Sequence, residues 1–465
     1  MNRPTAQVFD SVCPLPKEQA VRLLPYSALK LMYGADVIKQ YAGRDDLVVL
    51  FFNNAEEVLH VDDYELVSRV TTAVVKRLVI DRNMHTVLPT APMMMELHRA
   101  ASDLIAEYYA DDQRKKAICL LSDQYGCGYW RMLLPATHIK SNGWVFDVTP
   151  AETLYEYLVT YNTVMLQRVC KWESFYVVQR LRRNGVRVVY DLDDNLWELP
   201  PFHPAYKKFG IDEKTAATAI IREVDAVTVT TKAMEDAIAL HCGEDVRKKI
   251  VIIPNAIDVS QFPVRPVYPV SCQDKDKPFR ILWAGSATHE QDFMVCMGAL
   301  DQFMKAHQDD SVRVLFVGYL PAQVSRLVQE KHWFNRVEHV EFMNIETYFD
   351  MLRRVKADIA IAPLLPCAFN AAKSNIKWME YTLAGIPVVA SNFPPYSNTI
   401  VHNTNGLLAS TKDEWVKALE AKFRAREDTK WYEMVSAARD TVESEYHIGK
   451  TADKWLSVIS GAQNT

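Results

Sequence analysis

Short apolar runs alternate along this 465-residue chain with stretches of helical periodicity. AICLLSD (117–123), VRVVYDLDD (186–194), AVTVTT (226–231) and KIVIIPN (249–255) come first. FRILWAG (279–285), VRVLFVG (312–318), VEHVEFM (337–343), DIAIAPL (358–364) and IPVVAS (386–391) follow. A run apolar at successive positions fits a strand buried on both faces, as in parallel sheets covered by helices. Strands that alternate with helices predict doubly wound domains. RPVYPVSCQDKDKP (265–278), rich in proline and charge, divides the two series and reads as an interdomain linker. The expected plan is an α/β fold of two Rossmann-like domains, 117–264 and 279–438, facing a cleft. A ligand would lie at the carboxyl ends of the strands. Residues 1–116 do not follow the scheme: 46–54 reads as a strand, 65–78 and 91–109 as helices, together an added α/β extension. From about residue 415 the pattern is helical.

The chain exceeds one typical domain. It is 49% apolar and 24% charged, ordinary for a soluble globular protein. No run of about 18 apolar residues predicts a transmembrane helix, and the first residues lack the apolar core of a signal peptide. The eight cysteines are scattered, with no C-x-x-C and no histidine pair at zinc spacing, so reduced thiols in a cytoplasmic compartment are expected. A net charge of −5 gives no overall basic field for nucleic acid.

FNAAKSNIKWMEYTLAGIPVVAS (369–391) reads as loop, helix, turn and buried strand. Ser374 is a natural N-cap, and Gly385 followed by Pro387 a natural stop. Lys373 sits at the helix start, Lys377 one turn on, and Glu380 about one further turn along the same side. A helix start with two lysines attracts phosphate, and a nearby carboxylate can take two ribose hydroxyls. The alternative is a solvated, charged helix end.

Other segments carry weaker signals. In GCGYWRMLLPA (126–136) two glycines after a strand let a backbone approach a ligand, and Arg131 suits phosphate or an acceptor. YDLDDNLWELP (190–200) puts Asp191, Asp193 and Asp194 at a strand end, where carboxylates repel unless a cation comes near. A D-x-D metal site, sugar positioning and helix capping all remain open there. In WAGSATHEQDF (283–293) Gly285 and Ser286 follow a strand, and Thr288 with Gln291 fits a capping box. His289 beside that cap reads more as structural than as a ligand. Residues 166–183 read as one helix bearing Arg168, Lys171, Arg180, Arg182 and Arg183, either a solvated face or a contact for an anionic acceptor such as DNA or a lipid phosphate.

KSNIKWMEY followed by AGIPVVAS, PPY and NGLL resembles the donor-binding region of GT-B glycosyltransferases, in the group 1 family of retaining nucleotide-sugar enzymes. The resemblance covers roughly 117–456. It implies transfer of a sugar from a nucleoside diphosphate sugar (UDP- or GDP-sugar) to a hydroxyl with retention, with no metal and no tightly bound cofactor. On it, Lys373, Lys377, Ser374, Gly285 and Ser286 would stabilise the diphosphate, Glu380 would hold the ribose, and Tyr319 would either stack on the base or pack in the core. Gly126, Gly128 and Tyr129 would line the cleft, with Asp193, Asp194 and Arg131 facing sugar and acceptor. PNAID (254–258) would form hinge structure, and the final helix (439–465) would cross back to the first domain, docked through Trp455 and Leu456. Many relatives carry two glutamates with seven residues between them. The second matches Glu380, but Ala372 stands at the first, leaving Asn370 or backbone groups to face the sugar. The implied acceptor is a glycan or glycolipid. A DNA base hydroxyl, as in phage-type glucosyltransferases, and a nucleotide-sugar-binding scaffold are the alternatives. No strand is followed by a full G-x-G-x-x-G, which speaks against a dehydrogenase.

Overall fold

The computed structural model describes residues 115–462 apart from 124–125, 140–143, 151–157, 160, 263–277, 309, 331–332, 334 and 342–344. The expected extension (1–116) and linker (265–278) thus lie almost wholly outside the described residues. The first series comprises β1 (Lys115–Leu121), β2 (Trp144–Pro150), β3 (Thr163–Gln167), helix α1 (Trp172–Arg183), β4 (Arg187–Leu192), α2 (Ile211–Glu223), β5 (Ala226–Val229), α3 (Lys232–Cys242) and β6 (Ile250–Ile252). The second comprises β7 (Phe279–Gly285), α4 (Glu290–Ala306), β8 (Val312–Gly318), α5 (Ala322–Glu330), β9 (Val337–Val340), α6 (Ile345–Arg354), β10 (Ile359–Ala362), α7 (Ile376–Leu383), β11 (Val388–Ser391), β12 (Leu407–Ala409), α8 (Lys412–Arg424), α9 (Thr429–Thr441) and α10 (Ile448–Ser460).

The strands form two six-stranded sheets, ordered β2-β1-β3-β4-β5-β6 and β12-β11-β10-β7-β8-β9. The pairings described are parallel, with Asp191 opposite Thr228 in the first sheet and Gly285 opposite Gly318 in the second. The described chain separates into two compact units. One holds 115–122, 140–167 and 177–188; the other holds 123–139, 168–176 and everything from 189 on. All the functional geometry below lies within the second unit.

Side-chain alternation explains why the second sheet is covered on both faces. Along β7, Phe279, Ile281 and Trp283 join one core with Phe293, Phe303 and Trp415. Leu282 and Ala284 point to the other, with Trp378, Met379 and Tyr381. Burial of such large side chains is worth roughly 1.5–3 kcal/mol each, so the position of α7 is fixed by Trp378, Met379 and Tyr381, which are fully buried.

Two expectations change. Residues 166–183 are not one helix: β3 runs through Gln167, Arg168 takes a positive φ of 49°, and α1 begins only at Trp172. TVMLQ is buried at every position, and a short continuous apolar run does not separate strand from buried helix. The expected capping box at Thr288 and Gln291 is not formed. Thr288 Oγ1 pairs with Ser286 Oγ at 2.6 Å, and His289 occupies the cap position of α4. Among the described residues no helix is long and apolar enough to cross a membrane.

Candidate functional site

In the second sheet β7 and β10 are neighbours whose following strands lie on opposite sides, the switch point where open α/β sheets leave a crevice at the strand ends. The turn after β7 demands glycine. A Cβ on Gly285 would lie 2.6 Å from the Trp283 ring, and one on Gly318 (φ +89°) would lie 2.6 Å from the Gly285 carbonyl oxygen. Ser286 is exposed beside it.

Past β10 the chain turns into α7. The cap position is Asn375, one residue beyond the expected Ser374, and no side chain caps the helix. The Ser374 hydroxyl instead accepts from Asn255 Nδ2 at 2.9 Å. Lys373 Nζ lies 4.5 Å from the Phe369 ring centroid and 3.6 Å from Asp194. Lys377 has no hydrogen-bond or ion-pair partner among the described residues; burial, then the neighbouring Lys373 charge, lower its pKa. Glu380 is 6% exposed and accepts the Tyr348 hydroxyl at 2.8 Å.

Burial raises the Glu380 pKa to about 7 from an ordinary 4.5. Between those values the native state keeps a proton that the unfolded chain has lost, so stability falls as pH rises through that window. A shift of that size corresponds to about 3 kcal/mol. Glu380→Gln keeps an acceptor for Tyr348 and removes the titration. Its thermal midpoint is expected to exceed the wild type's at pH 8 and to match it near pH 4.5. Parallel pH profiles for the two proteins would refute this assignment.

His289 Nδ1 lies 2.8 Å from Asp292 Oδ2. Asp292 is 3% exposed, and its other oxygen accepts the Leu365 N–H (2.9 Å) and Asn370 Nδ2–H (2.6 Å). Burial, then Lys377, with Lys373 adding, hold the His289 pKa down at about 4.

The strands of the first sheet bring acids to the same place. Arg168 donates to Asp194 at 2.8 Å, to Asp123 at 3.0 Å and to the Cys127 sulfur at 3.5 Å. Burial and then Asp194 push the Asp193 pKa up to about 6, and its Oδ1 is buried without a partner. Burial opposes ionisation of Asp194, but Lys373 and Arg168 outweigh it and bring its pKa below the ordinary value. Donor atoms of Cys127, Asp193 and Asp194 lie within 4.8 Å of one another, a set able to hold a cation, with the Arg168 guanidinium already bonded to two of its members. Thr231 Oγ1 donates to the Ala372 carbonyl at 3.0 Å, linking the end of β5 to the approach to α7.

Residues 278–424 match the family described as glycosyl transferases group 1. The chain resembles HepE of Anabaena in complex with UDP and glucose at 14% identity and TM-score 0.57, covering 75% of this chain and 100% of that one. Sucrose-phosphate synthase of Thermosynechococcus elongatus is similar at 16% identity and TM-score 0.53, covering 75% and 99%. A glycosyltransferase of Rickettsia africae follows at 14% and 0.52, covering 76% and 100%. A sequence comparison with curated proteins finds no match. The fold is GT-B, and the group 1 glycosyltransferase match falls on its second α/β domain, residues 278–424.

In that domain Lys373, Lys377, Glu380, Gly285 and Ser286 sit where strand ends meet α7. Asn370, expected to face the sugar, spends its amide N–H on Asp292 and the Leu365 carbonyl (2.9 Å). Tyr319 donates to Glu290 at 3.1 Å. Arg131 is not in the cleft. It is 0% exposed, pairs with Asp191 at 2.8 Å, donates to the Ile253 carbonyl at 2.5 Å and to Asn255 at 3.2 Å, and stacks 4.7 Å from the Trp455 ring of α10. Asp191, which also accepts from Thr228 at 2.6 Å, is thereby withdrawn from any D-x-D. The N–H groups of Gly126 and Gly128 point not to a free ligand but to Asp123, at 2.7 and 3.3 Å. Tyr129 packs edge-on against Trp130 and Phe349.

Arg168, Cys127, Asp292 and Tyr348 were not singled out as site residues from sequence. Only His289 and Asp292, three apart at a helix start, offered a local signal. The others are assembled from distant strands and loops.

Proposed function

We propose that the chain is a retaining, metal-independent glycosyltransferase that moves a sugar from a UDP- or GDP-sugar to a glycan or glycolipid hydroxyl. The observation that carries this reading is Lys377: a half-buried ammonium with no hydrogen-bond or ion-pair partner among the described residues, next to Lys373 and with only the more distant pull of Glu380 and Asp292. Burying an unpaired charge is costly unless a ligand supplies the partner. A diphosphate at the Gly285–Ser286 turn, the start of α4 and the two lysines would do so. HepE, crystallised with UDP and glucose, supports a uridine donor.

Glu380 would accept the ribose hydroxyls, and Tyr319 would lie beside the base. The leaving diphosphate gains charge in the transition state, and fixed cations in a water-poor site stabilise it without a metal. Asp193 and Asp194 would hold sugar and acceptor hydroxyls, with Asn370 near the position that Ala372 leaves without a carboxylate. With its pKa near 6, Asp193 can take or give a proton near neutral pH. The cell compartment that fits such a donor is the cytoplasm.

Turnover of a nucleotide sugar is expected to persist in excess chelator. Loss that zinc or manganese restores would instead make Cys127, Asp193 and Asp194 a metal site.

A further inference from the structure

His289 stands among opposing charges. Its Nδ1 is tied to Asp292, whose two oxygens are fully engaged by His289, Leu365 and Asn370. That fixes the ring and leaves Nε2 as the one atom able to meet a ligand. Lys373 and Lys377 face the ring from α7 and the loop before it, Asp292 from its own helix, and Asp194 from the end of β4. His289 is also the cap residue of α4, whose open N–H groups carry partial positive charge. In the free protein burial and those cations keep the ring neutral, while Asp292 and, from farther off, Asp194 favour charging it.

We propose that binding of a nucleoside diphosphate sugar protonates His289 at Nε2, which then donates to the diphosphate as a third cationic contact. The proposal rests on the donor reading above. A diphosphate cancels the lysine charges that oppose protonation and adds anions that favour it. Asp292 then holds an imidazolium instead of an imidazole. The proton comes from solvent, and no covalent bond to the donor forms. A neutral Nε2 presents a lone pair, which phosphate oxygens repel; only the charged ring makes a bond there. The binding energy of the donor would thus be partly conditional on pH, through a residue three positions from its anchoring carboxylate.

Glu380 loses a proton if it accepts the ribose, so net proton exchange mixes two events, and His289 must be observed directly. Nitrogen-15 spectra of histidine-labelled full-length protein at pH 7, titrated with UDP-glucose, separate neutral from doubly protonated rings. The phosphates of this donor do not titrate in that range. His289→Asn identifies the resonance. The expected result is a neutral Nδ1–H ring in the free protein and a doubly protonated ring at saturation. The affinity ratio of wild type to His289→Asn should be roughly tenfold at pH 6, the size of one charge-assisted bond, and should shrink toward one by pH 9. If UDP-glucose raises the thermal midpoint while the ring stays neutral, or if the affinity ratio does not change with pH, His289 is structural and the donor reading survives. If neither UDP- nor GDP-sugars bind, the donor reading and this inference fall together.

Discussion

Arg131→Met is expected to destabilise the protein by about 3–5 kcal/mol, the usual loss when one partner of a buried ion pair is removed. The substitution strands Asp191, which is 0% exposed and would keep only the Thr228 hydroxyl. It also frees the Ile253 carbonyl and removes the guanidinium from the Trp455 ring, loosening the seat of α10. The double variant Arg131→Met/Asp191→Asn removes the stranded charge and should recover part of the loss, because the two residues act as a pair. Thermal and urea denaturation of the three proteins check this. An unchanged midpoint with activity lost would return Arg131 to the cleft.

Lys377→Ala is expected to lower kcat/KM for the donor by ~10²–10³, the range found when one preorganised stabiliser of developing charge is deleted. Its fold should survive. Lys377 makes no bond that the native state needs, and burial works against its charge, so the apo protein should be as stable as wild type or more so. Stability unchanged with catalysis lost marks a ligand-binding cation; stability lost with catalysis unchanged would make Lys377 structural.

How much could be read from the residues depends on how local the determinants are. Runs 279–285 and 312–318 coincide with β7 and β8 because each is apolar on both faces and ends in a glycine that a close turn requires. The cluster of Lys373, Lys377 and Glu380 was legible because the three lie within two helical turns. The cap was misplaced by one residue, since Ser374 is drawn away by Asn255, 119 positions earlier. Arg131 was misread for the same reason: its partner is 60 residues on, and no local pattern distinguishes a buried arginine from a cleft arginine. The sequence leaves Arg168 as either a solvated helix-face charge or a contact for an anionic acceptor, yet its positive φ turns it between Asp123 and Asp194. β12 has three residues, too few for periodicity to register. Asn370 was expected to face the sugar, but Asp292, 78 positions away, claims its amide.

Donor turnover is the decisive measurement. Wild-type protein, with chelator present, would be incubated with a panel of UDP- and GDP-sugars and followed by proton NMR. The expected result is release of nucleoside diphosphate from at least one donor, with the first-formed sugar product in the donor's anomeric configuration, and near-abolition of that signal in Lys377→Ala. No release or binding with any donor, release only with added metal, or an inverted first product would contradict it.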